Sequence, residues 1–187
     1  MSNIFDSCVT WKLLSYFLTE PWKESYVKEL AKNMKISSGS VSVLCKKLCS
    51  ENLLKKEIRG NLLLYKLNKN NPIMKELQKA YLLNRLTKAK FTQKFFDTDE
   101  SIISLAIYGS YVSGDVDDKS DLDVLIITQS NANFSEAVRK IAKEIKIDVN
   151  INKFTLLQWK KLSGKNDPFY KEVISNHILL KGSSLVI

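Results

Sequence analysis

Hydrophobic and polar positions alternate with different periods in the two halves of the chain. From Ile4 to Leu18, apolar residues fall at Val9, at Leu13 or Leu14, and at Phe17 and Leu18, and this spacing predicts a helix that Thr19-Glu20-Pro21 ends. Ser25 to Met34 reads as a second short helix with Val27, Leu30 and Ala31 on one face. After the turn Lys35-Ile36-Ser37, Ser37 suits the N-cap of a third helix that runs to about Glu51 and aligns Val41, Cys45 and Leu48. Asn52 follows, a residue that tolerates the left-handed conformation at a helix end. Leu53 to Ile58 and Asn61 to Leu67 then flank Arg59-Gly60, a hairpin signal, with Leu62 and Leu64 outward if Leu63, Tyr65 and Leu67 face in. Beyond the polar linker 68–72, whose Pro72 suits the opening of a helix, Ile73 to Phe96 reads as one long helix or two short ones.

The pattern then changes. Ile102 to Tyr108 and Leu122 to Ile127 are short, β-branched apolar runs bounded by polar residues, and they read as buried strands. A helix is expected over Asn133 to Glu144, a strand over Lys146 to Ile151, and helices from Thr155 onward, with His177 in a helical tail. The fold class expected is α+β: a helical N-terminal domain over 1–70, a helical linker over 71–97, and an α/β domain with a small mixed sheet over 98–187.

Charge sharpens this division. The formal net charge is +9 over 187 residues; residues 1–99 hold 18 basic and 9 acidic residues, and residues 100–187 hold 11 of each. An excess confined to the first half points to an anionic partner there, nucleic acid before a membrane. The three cysteines, Cys8, Cys45 and Cys49, have no metal-ligand spacing and read as free thiols of a reducing cytoplasm, Cys45 as a small core residue. No signal-peptide pattern or bilayer-length apolar run is visible, so a cytoplasmic protein is expected.

The candidate chemistry lies at the mouth of the second strand. Residues two apart on a strand face one side, so Asp121 and Asp123 project together while Leu122 and Val124 face a core. Side-by-side carboxylates repel and need a cation between them, and oxygen ligands suit Mg²⁺ or Mn²⁺, ions that also bind phosphates. Gly109 lets backbone approach a ligand closely, and Ser110 is placed to cap a short helix. Asp115, Asp117 and Asp118 are accounted for as solvated turn acids, and Tyr111 as a packing residue.

Gly109-Ser110, ten residues, then Asp121-Leu122-Asp123 resembles the signature of the polymerase-beta-like nucleotidyltransferases, in particular the minimal ones, and IKIDVNI resembles the family's next strand with a third carboxylate, Asp148. The resemblance implies that Gly109 and Ser110 hold a triphosphate. It implies that Asp121, Asp123 and Asp148 bind metal, and that Asp148 helps deprotonate an attacking hydroxyl. The implied reaction is transfer of NMP from an NTP, ATP for preference, to a hydroxyl acceptor. Members of this kind include antitoxins that modify a partner protein, so a protein acceptor is implied as well. Ser113 stands where many relatives carry Arg or Lys.

The helices and basic hairpin of residues 4–68 resemble a winged helix-turn-helix domain. That resemblance implies base contacts from Ser38, Ser40, Ser42 and Val43, and phosphate contacts from Lys46, Lys47 and Arg59. Val43 departs from the pattern, standing where such helices often place a long polar base-reader, and the outward leucines suit a protein contact better than a phosphate backbone. The stripe Ile73, Leu77, Ala80 or Tyr81, and Leu83 or Leu86 suits either a connector or a homodimer seam. Two functions follow: a metal-dependent nucleotidyltransferase with a DNA-binding domain, or a DNA-binding transcriptional regulator whose second domain only binds nucleotide or metal.

Overall fold

A computed structural model describes residues 8–186. The chain divides into two compact units, residues 1–81 with 116–118, and residues 82–115 with 119–187.

In the first unit, α1 (Val9–Thr19), α2 (Val27–Met34) and α3 (Ser38–Ser50) precede a hairpin of β2 (Leu54–Arg59) and β3 (Leu62–Leu67). The Ile4–Ser7 part of the expected first helix lies outside the described residues. Ser37 caps α3 as expected, its Oγ accepting from Ser40 N at 3.0 Å. Val41, Cys45 and Leu48 are buried on the inner face of α3. Burial pushes the Cys45 thiol up to about 12, which suits an inert core residue. Asn52, at φ 59°, takes the left-handed turn after the helix. Two expectations are corrected. Ser25–Tyr26 is not helical but a short strand, β1, pairing with β3. The hairpin turns at Gly60-Asn61, because Arg59 pairs with Leu62 and Gly60, at φ 60°, supplies the positive φ.

The expected linker helix is two helices, α4 (Pro72–Lys88) and α5 (Phe91–Thr98), separated where Lys90 adopts φ 50°. Pro72 opens α4. The stripe expected to serve a connector or dimer seam turns largely inward: Leu77 and Tyr81 pack on the first unit's core, and Leu83 and Leu86 on the second's. Ile73 and Ala80 are the exposed members of the stripe.

The second unit carries a four-stranded mixed sheet, β6 (Val149–Phe154), β5 (Leu122–Ile127), β4 (Ser104–Tyr108) and β7 (His177–Gly182) in that order, with β5 and β6 parallel and the other pairs antiparallel. Alternation sends Leu105, Ile107, Leu122, Val124 and Ile126 to one face. There they meet α5 and α7 (Ser135–Ile145) through Phe91, Phe95, Ile141 and Ile145. Arg85 donates to the Ile145 carbonyl and so caps the end of α7. The other face sends Ala106, Tyr108, Leu125 and Ile127 towards Trp159 of α8 (Leu156–Gly164) and Val173 of α9 (Pro168–Ser175). Thr155 and Gln158 form a capping box on α8, and Asp167 caps α9 ahead of Pro168. The tail is not wholly helical, since His177 opens β7. The strand expected from Lys146 begins only at Val149, because Lys146 ends α7 in the left-handed conformation.

Asp99 ties the end of α5 to the end of β5. Its Oδ1 accepts from Ser101 N at 2.9 Å and from Ser101 Oγ at 2.6 Å, and its Oδ2 accepts from Thr128 Oγ1 at 2.6 Å. Burial pushes this carboxyl up, but the hydrogen bonds from Ser101, Thr128 and Ser130 outweigh it and hold it at about 2. A depressed folded-state value stabilises the fold above the ordinary carboxylate range, and that contribution is lost as pH falls towards 2. Asp99→Asn is therefore expected to cost about 1–3 kcal/mol near neutral pH. In urea unfolding, the gap from wild type should narrow once pH drops below about 4. A gap that ignores pH would contradict an ionised acceptor at Asp99.

Candidate functional site

The site begins with sheet register. β4 and β5 pair so that Tyr108 lies beside Asp123, β6 brings Asn150 to the other side of Asp123, and β7 brings His177 beside Tyr108. One row across all four strands is therefore Asn150, Asp123, Tyr108, His177. Each of these residues is polar, where the next row inward on β5 and β4 holds Leu125 and Ala106.

Asp123 is fixed from two sides. Asn150 Nδ2 donates to its Oδ1 at 3.1 Å. Its Oδ2 occupies the space above Gly109, 2.5 Å from where a Cβ on that residue would stand. Gly109 has φ 77°, a backbone region that side chains disfavour, so conformation and proximity both require glycine. Gly109 is the N-cap of the single-turn helix α6 (Ser110–Ser113); Ser110 is the first helical residue, and its side chain makes no cap, contrary to expectation.

Burial pushes the Asp123 carboxyl up, Asn150 pulls it down, and the charges of Asp121 and Glu172 push it up again. Asp121 is exposed at the entrance to β5, two residues from Asp123. Asp148 is exposed just before β6, and its carbonyl accepts from Leu122 N at 2.8 Å, which sets it level with the entrance to β5. Tyr108, nearly buried, accepts from Asn152 Nδ2 at 2.7 Å; burial and the Asp123 charge push its hydroxyl up to about 12, so it stays a neutral hydrogen-bonding group. His177 Nδ1 is 3.0 Å from the Val173 carbonyl, which ties the ring to α9.

Among the described residues no group of three His, Cys, Asp or Glu side chains is gathered so that it could hold a metal ion. The expected trio is thus Asp123 on β5 with Asp121 and Asp148 just before β5 and β6, not a closed cage. The donor chemistry still fits a hard divalent cation. The side chains facing this end of the sheet offer carboxylate, amide and phenol oxygens, with Glu172 adding negative charge beside Asp123.

The sequence reading missed Asn150, Asn152, Tyr108 and Glu172. The signal for the first two was present in the alternation Asp148-Val149-Asn150-Ile151-Asn152, whose polar positions share a face. Glu172 comes from a helix distant in sequence, and no local pattern marks it.

In the first unit, Ser38, Ser40, Val43, Lys46 and Lys47 are exposed along α3, and Ser42 is half-buried. Ser40 Oγ lies 2.8 Å from Ser37 Oγ, within the cap. Arg59 is not a free wing cation: its Nη2 meets Glu24 at 2.9 Å and Glu57 at 3.0 Å, and Lys66 meets the same two carboxylates. Leu62 is about half exposed, as expected, Leu64 is half-buried, and Ile58 stands out 78% exposed.

The closeness of Gly109 and Asp123 can be measured. Gly109→Ala should cost about 1–3 kcal/mol for the backbone conformation alone, and more because the Asp123 carboxylate must shift. In an Asp123→Ala background only the conformational cost remains. A double-mutant cycle by thermal unfolding should therefore show non-additivity of about 0.5 kcal/mol or more. Strict additivity would mean that Asp123 does not lie over Gly109.

Comparison with known proteins adds a family to this geometry. No curated protein sequence matches the chain. A solved structure titled as a toxin-antitoxin with AMP-PNP is similar over 51% of this chain and 74% of its own, at 18% identity and a TM-score of 0.39. The model of the family described as "Polymerase beta, Nucleotidyltransferase" matches residues 90–184, more than half of the chain, and spans the four-stranded sheet with the Gly109–Asp123 contact inside it. The chain belongs to the polymerase beta nucleotidyltransferase family.

Proposed function

We propose that the chain is a metal-dependent nucleotidyltransferase that moves an NMP from an NTP, ATP for preference, to a hydroxyl on a partner protein, and that its N-terminal unit is a DNA-binding winged helix. The observation that carries the catalytic reading is the seating of Asp123 between Gly109 and Asn150 beside Asp121, within a nucleotidyltransferase family domain. Carboxylates held this close are poised for a cation. Asp121 and Asp123 would hold Mg²⁺ or Mn²⁺, with Asp148 just before the adjacent strand, and the ion would neutralise phosphate charge.

The chain's own groups divide the remaining work. Gly109 leaves room for the Asp123 carboxylate at the strand end, and Ser110 beside it would offer a hydroxyl to a phosphate that the cation draws in. Asn150 orients the Asp123 carboxylate. Asp148 is exposed and has no ion-pair partner among the described residues, which suits a group that accepts a proton from an incoming hydroxyl. Asn152 donates to Tyr108 and so fixes the phenol that borders Asp123.

Pyrophosphate release with NTP, Mg²⁺ and lysate as the source of acceptor tests the enzyme. Asp121→Asn and Asp123→Asn should each weaken Mg²⁺-dependent NTP binding in calorimetry. Asp148→Asn should keep much of that binding and lose about 10²–10⁴-fold in turnover. Wild type that binds Mg-NTP yet releases no pyrophosphate would reduce the protein to a regulator with a nucleotide-binding domain. Equal NTP binding by all of these proteins, with or without Mg²⁺, would remove the metal site.

For the N-terminal unit, the basic excess of residues 1–99 supports duplex DNA binding that weakens steeply with salt. Lys46→Ala with Lys47→Ala should lower affinity for all sequences alike, and Ser42→Ala should change sequence preference. Arg59→Ala should matter less than Lys46→Ala, because Glu24 and Glu57 already neutralise Arg59. Gel shifts at two salt concentrations read all three. No binding at low salt would leave a protein-contact role for this unit.

A further inference from the structure

A second feature of the nucleotidyltransferase unit lies on the sheet face opposite the acidic row. Among the described residues β6 is an edge strand, paired only with β5. Leu122 N donates to the Asp148 carbonyl and Thr128 N to the Phe154 carbonyl, so the even-numbered residues of this segment direct their backbone groups towards β5. By alternation Val149, Ile151 and Lys153 direct theirs outward, where no other strand pairs with them. Their side chains are the ones that line an open groove of about 550 Å³ between β6 and the start of α7. Phe134 and Val138 add apolar wall, and Arg139 and Lys153 supply two positive charges. No acidic residue lines it. Glu136, the nearest acid along α7, is engaged by Lys140 at 2.6 Å. Lys153 Nζ donates to the Ala132 carbonyl at 3.2 Å, which holds its charge at the groove rather than away from it.

We propose that this groove docks an extended, acidic segment of a partner protein that adds to the β6 edge as a fifth strand. An extended segment satisfies the outward N–H and C=O groups of Val149, Ile151 and Lys153, and side chains two apart along it enter the groove. Apolar side chains of the segment meet Val138, Val149 and Ile151. Carboxylates at the rim meet Arg139 and Lys153, a complementarity that selects acidic over basic segments. The proposal stands apart from the transfer reaction: it uses neither the acidic row nor nucleotide.

The test uses the full chain and a fluorescent eight-residue peptide of alternating Glu and Val, blocked at both ends. Controls are the same peptide with Lys in place of Glu, and an oligothymidylate of similar length. Fluorescence anisotropy should show binding of the acidic peptide that weakens with salt, and weak binding of the basic one. Arg139→Glu with Lys153→Glu should lower affinity for the acidic peptide by about tenfold or more. Ile151→Pro removes one outward N–H while leaving the β5 ladder intact, as proline on an edge strand does, and it too should weaken binding. Circular dichroism on both variants checks that the fold is kept, and the charge variant decides the matter if the proline variant unfolds. Absent binding of the acidic peptide at low salt, or binding unchanged in the charge variant, would overturn the proposal. Preferential binding of the oligonucleotide, itself lost in the charge variant, would overturn it in favour of nucleic acid. Sedimentation showing that the free chain self-associates through Ile151 would overturn it in favour of a second copy.

Discussion

The pairing of β4 with β5 sets the geometry of the nucleotidyltransferase unit. It puts Tyr108 beside Asp123, and the next residue of β4, Gly109, then turns out of the strand under the Asp123 carboxylate. A residue with a Cβ there would collide with Oδ2 and would also sit in a disfavoured backbone region. Glycine and carboxylate are therefore one constraint: the glycine exists because the carboxylate is there, and the carboxylate is desolvated because the strand end closes over it. The apolar residues on either side, Leu122, Val124 and Ile107, are fully buried and hold the register that makes this contact. A slip of one residue would turn Asp123 into the core and Val124 to the mouth.

The same alternation gives the sheet two faces with different chemistry. One carries the acidic row and closes inward on Trp159, Val173 and the aromatic cluster of Phe154 and Phe169. The other packs on α5 and α7 and ends, at the β6 edge, in a groove that carries only positive charge. Negative charge at one end of one face and positive charge at the rim of the other cannot come from composition alone, since residues 100–187 are balanced in charge. The separation is a product of strand register.

Legibility in the sequence followed the range of the interactions. The strands Leu122–Ile127 and Ser104–Tyr108, the cap at Ser37, the inner face of α3 and the proline at the start of α4 are local, and pattern alone found them. The small mixed sheet was also readable. The break between α4 and α5 was left open by the sequence, because Lys90 in a left-handed conformation has no strong residue signature, whereas Asn52 does. The strand β7 and its pairing with β4 were misread as helix, since His177–Gly182 alternates weakly and owes its strand state to a partner far away in sequence. For the site, the Gly109–Asp123 pair was legible as a motif, but its physical form was not. That Oδ2 lies over Gly109, that Asn150 holds Oδ1, and that Glu172 adds charge are tertiary facts.

Charge in the N-terminal unit carries the same lesson further. Counted along the sequence, the hairpin is basic, with Lys55, Lys56, Arg59 and Lys66 against Glu57. Folded, β2 and β3 bring Lys66 and Arg59 onto Glu57, and Glu24 joins them from before β1. Two cations and two anions then form a closed cluster with no net charge, and each exposed member gains little from a distant phosphate that must compete with a partner at about 3 Å. Among the described residues Lys46 has no such neighbour, and Lys47 meets Glu51 only at 3.9 Å. Lys55 and Lys56 stay exposed on β2 outside that cluster, so the basic charge open to an anion is shared between α3 and one strand of the hairpin. The hairpin tip adds Ile58 and Leu62, apolar residues beside the neutral cluster. An anionic duplex would meet α3 and the Lys55–Lys56 pair, and an apolar protein surface the hairpin tip, so the two contacts would share the hairpin.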